Sequence, residues 1–503
     1  MRAAATSVQL HYAFVTPCCS FVGFSANASQ GARLTVEIVR NNIAERIYRL
    51  TGGGIYRDSV LLREPYPLAH PVLDSKVACC ARVAWPACVS GVCAHAGTVC
   101  VCVFQVIGQD SVFSVLYRGK VYWFWGDTNR PSAILGNFGT TAATSLLPSD
   151  GGLDPSVGVN LDYFDLPSGF VTVGAGQACV WRSQRVCADA VVTQNVTSIS
   201  GPGPTWVGCV TVLPQSESGA LYAHYMKVGN KDGSDSSWGL LRWSDAQSRF
   251  VQVREFPPNS VFRNTPTNGA HTFVHADEAT GHLYVYFSAP FPFVRALATP
   301  EGMADVENWE GYTPLQAGTT IADGQVVRNT NGELVYAWRK NTEPVFQSGQ
   351  ETLISNGAMQ PEEAAIQLRS ATSTDCVQPV LTRGDTQYNP WRGKYIMIGC
   401  EANGDSPDGE VWFVEADKPE GPWTNAVKII THATTQTSFY NPAFHTMFNE
   451  AGGEVVYLSG TFSAMWSFGA VPVPRCVTLS PACLHVRALT ATLLLHSGTS
   501  TTT

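Results

Sequence analysis

Four carboxylates carry the chemistry this sequence offers: Asp110, Asp127, Asp323 and Glu401. Aspartate and glutamate can act as general acid, general base or nucleophile once a site holds one protonated and its neighbour ionised. Around them the chain supplies groups that hold a ligand: Trp125, Trp206 and Tyr388 with flat aromatic faces, and His271, Asn389 and His445 with hydrogen-bonding tips. Each also has a plainer reading. Asp127 before Thr128 and Asp323 before Gly324 are ordinary turn formers. His271 can serve as a core histidine, and most aromatic residues in such strands pack against neighbours. Glu410 and Glu415 are expected to face solvent.

The elements that position these residues are legible as a repeat. A turn containing glycine followed by an apolar strand recurs as RGKVYWFWGD (118–127), SGALYAHYMK (218–227) and TGHLYVYFSA (280–289). It returns as NGELVYAWRK (331–340), RGKYIMIGCE (392–401) and GGEVVYLSGT (452–461). Successive starts lie 100, 62, 51, 61 and 60 residues apart. Each unit follows another short apolar strand, such as DSVFSVLY or HTFVHA, and the pair reads as a hairpin. A period of this size with about four strands marks a β-propeller blade. The expected fold is therefore all-β, a β-propeller of five blades, with six as the alternative, carrying one short inserted helix over 349–370. A β-sandwich would space its strands less regularly.

Hairpin geometry then says which residues meet. The first strand of each unit starts at one face and its partner returns there, so the start of one lies beside the end of the other. Strand starts carry Asp110, Thr205, His271, Asp323, Asn389 and Asn441; strand ends carry Asp127 and Glu401, with Lys227 and Lys340 in two other units. These groups are expected to ring one mouth of the propeller and form a polar pocket.

Composition agrees with this class. The chain has 503 residues, 45% hydrophobic and 14% charged, with 45 glycines and 30 prolines. That favours short strands joined by turns. The net charge of −8 comes without a basic patch, which argues against a nucleic-acid partner. No apolar run has the length of a membrane-spanning helix. The propeller is expected over 106–474, with 174–200 as an irregular insert and 475–503 as a tail outside the fold. Residues 1–105 hold eight of the 15 cysteines without the spacing of a zinc site. Within them, Val99-Cys100-Val101-Cys102-Val103 is what a translated GT dinucleotide repeat yields, so this segment is expected to lie outside the fold or to be non-coding sequence read through. A leader-like start and sequons at Asn27 and Asn195 favour a secreted protein.

Several stretches resemble one family. GQDSVFSVLYRGKVYWFWGDT is similar to the first blade of the five-bladed propeller glycoside hydrolases, the arabinanase, xylosidase and invertase group. GEVWFVEADKPEGPW resembles their outer strands, and FWGDTNRP, GPTW and YNP followed by His resemble bacterial hydrolase-like propeller proteins. The resemblance implies glycoside hydrolysis by carboxylates from different blades around a central funnel. Asp110 matches the base or nucleophile, Asp127 or Asp323 the group that tunes the acid, and Glu401 the acid. Trp125, Trp206 and Tyr388 would stack on sugar faces. It implies a carbohydrate substrate, a monomer and no obligatory cofactor, with a calcium ion near His271 or His445 as the variant some relatives use. One position departs: the relatives carry a glutamate in the last hairpin where this chain has Ser459. A non-catalytic carbohydrate-binding propeller is the competing expectation.

Overall fold

The computed structural model describes residues 44–51, 108–130, 133–137, most of 140–164 and 196–263, 269–370, most of 378–433, and 438–463, with short strands within 88–101, 180–185 and 488–496. The leader-like start, both sequon asparagines and most of residues 174–200 lie outside these. Among the described residues, five sheets have four or five strands each. Their innermost strands are Val112–Tyr117, Thr205–Leu213, His271–Ala276, Leu381–Asn389 and Ser438–Phe444. Each touches the next in that order, and the last returns to the first, so the sheets stand radially in a β-propeller.

The alternation within each second strand follows from this arrangement, because a radial sheet buries both faces. In Lys120–Trp125, Val121, Trp123 and Trp125 face the fifth sheet, where they pack with Ala443 and Tyr457. Phe124 faces the second sheet and packs with Val207, Tyr225 and Phe250. Three further wedges of the same kind fill the gaps between the second and third, third and fourth, and fourth and fifth sheets. A strand apolar on both faces is thus what a blade requires.

Five of the six repeated units become second strands of sheets, but the unit at 331–340 does not. Its Ala337–Lys340 is the outermost strand of the third sheet, paired with Glu310–Thr313. That extra strand helps cover Arg295, whose guanidinium lies 4.3 Å from the Trp338 ring and pairs with Asp277 and Glu310. The inserted helix also sits earlier than expected, at Gln347–Ser355. Pro361–Glu363 forms a separate 3-10 turn, and Ile366–Ser370 is a strand parallel to Trp423–Ile430.

The fifth sheet takes its outer strands from both ends of the described chain. Ala488–His496 pairs with Val455–Ser463, and Glu45–Arg49 pairs with Ala488–His496. Segments expected outside the propeller therefore supply strands to it. Such a sheet needs the chain's two distant parts at once, which no local pattern announces.

The first and fifth sheets meet on the Trp123 ring, fully buried and near-stacked on Phe448 with centroids 5.9 Å apart. Its Nε1 donates to Ser145 Oγ at 2.9 Å. Trp123→Ala should lower stability by about 3–5 kcal/mol, as a large buried side chain is lost and a cavity left. Urea denaturation should show an earlier midpoint with an unchanged slope.

Candidate functional site

Asp110 and Asp127 meet at one mouth of the ring, held by their own hairpin. The backbone N–H of Asp110 donates to the Asp127 carbonyl at 2.9 Å, and that of Gly126 donates to the Asp110 carbonyl at 2.8 Å. Gly126-Asp127 thus ends its strand opposite the start of the inner one, which places both carboxylates together as the hairpin geometry requires.

The fifth sheet then fixes Asp110. Thr461 Oγ1 donates to Asp110 Oδ1 at 3.1 Å and accepts from the Ser111 N–H at 2.9 Å. Ser111 Oγ donates to the same carboxylate oxygen at 2.8 Å. The Tyr440 hydroxyl also hydrogen-bonds Asp110, and its pKa is raised first by burial and then by that carboxylate's charge. The Arg383 guanidinium of the fourth sheet lies 5.4 Å from the Tyr440 ring and is itself paired with Asp408 at 2.9 Å. Asp127 has a different shell. It accepts one hydrogen bond, from Trp206 Nε1 at 3.1 Å. Burial, with a smaller contribution from the Asp110 charge, pushes its pKa up to about 6, against the lowering effect of Trp206.

The inner strands share a local device at this end. Ser111, Cys209, Arg383 and Asn441 all have positive φ, between 41° and 55°. At the last three the ladder is interrupted, between Gly208 and Thr211, Thr382 and Gly384, and Tyr440 and Ala443. Positive φ is uncommon for residues with a side chain, and a bulge re-aims the groups next to it. Here bulges adjoin Tyr440, which hydrogen-bonds Asp110, and Arg383, whose guanidinium faces the Tyr440 ring.

The other expected site residues are dispersed. Asp323 lies in a 3-10 turn over Ile321–Asp323 outside the inner hairpins, where it is exposed and bonded to Thr320. Glu401 ends the second strand of the fourth sheet, but its carboxylate turns along the sheet, accepting from Trp412 Nε1 at 2.8 Å and lying 3.6 Å from Lys428 Nζ. Asn389 ends its inner strand instead of starting it, and binds the Gly453 carbonyl. Tyr388 precedes it at that far end, half exposed. Trp125 is fully buried against Trp123 and Tyr163 and has no face for a ligand. Trp206 alone of the three expected aromatics joins the carboxylate pair. Glu410 is buried, not solvent-facing, and is held by Ser406 and Thr431.

His271 and His445 lie near the ring axis. His445 bridges the first and fifth sheets, with Nδ1 2.7 Å from Ser114 Oγ and Nε2 2.7 Å from Ser459 Oγ. The substituted position Ser459 is therefore a fully buried partner of a core histidine. Burial holds both imidazoles down to about 3. Among the described residues no three His, Cys, Asp or Glu side chains form a set that could hold a metal ion.

Tyr440 and Thr461 escaped sequence reasoning because they reach Asp110 only through ring closure. The YNP stretch carried a partial signal: the residue that matters is Tyr440, one before the expected Asn441.

No protein-family model and no curated protein matches the chain. Solved structures similar to it include a thermostable family-43 glycoside hydrolase, 13% identical, with 71% of this chain covering 84% of that one at a TM-score of 0.31. Another is an exo-β-1,3-galactanase from Phanerochaete chrysosporium, 10% identical, where 71% of this chain spans 56% of the other at 0.31. A family-43 glycoside hydrolase from Bacillus licheniformis is 10% identical, covering 71% and 68%, at 0.32. At such scores the likeness carries no conclusion about this chain's activity.

The two carboxylates should show their coupling in a carbon-detected titration of Asp127. Asp110→Asn removes a neighbouring negative charge and should move the Asp127 pKa down from about 6, yet not to the ordinary aspartate value of 3.8, because burial remains. Trp206→Phe removes the donor that favours the ionised form and should move it up. Since the fold holds this proton to higher pH than the unfolded chain does, ionising Asp127 should weaken the fold as pH rises from 3.8 to about 6.

Proposed function

We propose that this protein hydrolyses glycosidic bonds of a poly- or oligosaccharide, with Asp110 and Asp127 as its working pair. The observation that carries this reading is the unequal environment of two adjacent carboxylates at one mouth of the ring. Asp110 accepts hydrogen bonds from Ser111, Thr461 and Tyr440. Asp127, poorly solvated and beside that charge, keeps its proton to about pH 6. A carboxyl group that keeps its proton beside a second carboxylate can serve as the acid of the pair. Asp110 then acts as base or nucleophile, and Asp127 donates the proton to the leaving-group oxygen. The sugar would rest against Trp206, whose indole is only partly buried and whose N–H orients Asp127. The assignment replaces Glu401 as acid, since Trp412 and Lys428 already engage that carboxylate. On this reading the chain works outside the cell as a monomer, on a carbohydrate, without a cofactor.

A second reading has its own support. The glutamate of the resembling family is absent at Ser459, and Glu401 faces its own sheet, which favours a propeller that binds glycans without cleaving them.

The full chain should release reducing sugar from at least one of arabinan, xylan or fructan. Asp110→Asn should cut that rate by about 10² or more with an unchanged melting temperature. Asp127→Asn should lose polysaccharide cleavage yet retain cleavage of an aryl glycoside, whose phenolate leaves without a proton. The parent's kcat/KM should fall above about pH 6 as Asp127 ionises. Saturable glycan binding without any release of sugar would establish the second reading instead.

A further inference from the structure

Ser288 ends the strand Leu283–Ser288 of the third sheet and holds one hydroxyl hydrogen between two acceptors. Its Oγ lies 3.3 Å from Asp385 Oδ1 and 3.4 Å from the His271 carbonyl oxygen. The same Oγ accepts from the Thr386 N–H at 3.2 Å. Ser288 is fully buried, and its one hydrogen makes a full bond to one of these acceptors at a time.

Asp385, on the inner strand of the fourth sheet, is where three sheets meet. It is 1% exposed and accepts from Gln387 Nε2 on Oδ1 and from the Phe444 N–H of the fifth sheet on Oδ2, both at 3.0 Å. It also lines a cavity of ≈350 Å³ that all five innermost strands border, which gives a proton a way in. The titratable side chains that neighbouring strands bring toward the axis are His271 of the third sheet and His445 just after the inner strand of the fifth. Both are imidazoles kept neutral by burial. The first and second sheets line the cavity with no titratable group. Within its own sheet Asp385 stands opposite Ile398, and Arg383, two residues earlier, pairs with Asp408. The carboxyl therefore answers to burial and hydrogen bonds, not to a neighbouring charge.

We propose that Asp385 and Ser288 form a proton-operated clasp between the third, fourth and fifth sheets. Ionised, the carboxylate takes the Ser288 hydrogen. Protonated, it donates to Ser288 Oγ, which turns its own hydrogen to the His271 carbonyl. A hydroxyl donates and accepts together, so the clasp stays bonded in either state while the bond to the third sheet's inner strand is made or released. Burial pushes the Asp385 pKa up to about 7, against the lowering effect of Phe444, Gln387 and Ser288, so both states are populated near neutral pH. The fold thus keeps a proton that the unfolded chain gives up near 3.8. The stability this supplies is full below 3.8 and is lost as pH rises to about 7. No residue of the Asp110–Asp127 pair takes part, so the inference does not rest on the glycosidase reading.

The test is a nuclear magnetic resonance titration of the full chain, reading the Asp385 carboxyl carbon and the amide nitrogen of Thr272, which shares a peptide group with the His271 carbonyl. Both should move with one midpoint near 7. In Ser288→Ala the carboxyl should still titrate, at a higher pH because a donor to its ionised form is gone, while the Thr272 nitrogen should no longer follow it. Asp385→Asn keeps an acceptor for the Phe444 N–H and offers Ser288 a donor. It should remove from urea denaturation the part of the pH dependence, up to about tenfold in the unfolding constant per pH unit, that one retained proton gives below pH 7. The parent and Ser288→Ala titrations decide the matter if Asp385→Asn does not fold. An Asp385 carboxyl that titrates near 3.8, a Thr272 nitrogen that ignores it, or a Thr272 response that survives in Ser288→Ala would overturn the proposal.

Discussion

The contact between the fifth sheet and the first is the constraint on which the rest depends. A radial sheet has two apolar faces, and each needs a neighbour. Four neighbours follow along the chain, but the fifth interface forms only if Trp123 and Trp125 meet Ala443, Phe448 and Tyr457. The outer half of that last sheet comes from Ala488–His496 and Glu45–Arg49, so distant segments join at the same seam. Without closure, two large apolar faces would be left in water, at a cost of roughly 25 cal/mol per Å².

The carboxylate pair sits on this seam. Asp110 and Asp127 belong to one hairpin, and backbone hydrogen bonds alone hold them near each other. Their unequal surroundings do not come from the hairpin. Thr461 and Tyr440, from the fifth sheet, supply the shell around Asp110, while Trp206, from the second, supplies the single donor to Asp127. Sheets on opposite sides of the first one thus act on different carboxylates. Ring closure thus sets the surroundings of each carboxylate.

Many polar groups elsewhere in the ring obey the ordinary rule that burial demands a partner. His445 has serines on both nitrogens, Glu410 has Ser406 and Thr431, and Arg295 lies between Asp277 and Glu310 with aromatic rings around it. Trp125 Nε1, the Tyr395 hydroxyl and His271 Nε2 are buried without such a partner.

What the sequence determined by itself was the blade and the meeting of two of its residues. Apolar runs at near-regular spacing specify radial sheets because only a strand buried on both faces needs such side chains, as Val121, Phe124 and Trp125 show. Hairpin geometry is local, so Asp110 and Asp127 could be paired from the chain alone. The same reasoning failed where position depends on another sheet. Asp323 resembled a strand start, yet its unit became an outermost strand; Glu401 ended a strand correctly, yet its side chain followed Trp412 and Lys428 along the sheet. Only the tertiary structure decided which groups surround each carboxylate, because Tyr440 and Thr461 lie more than three hundred residues from Asp110 and reach it through ring closure. A side chain's direction at a strand end is set by its partners across the gap, and these are a property of the closed ring.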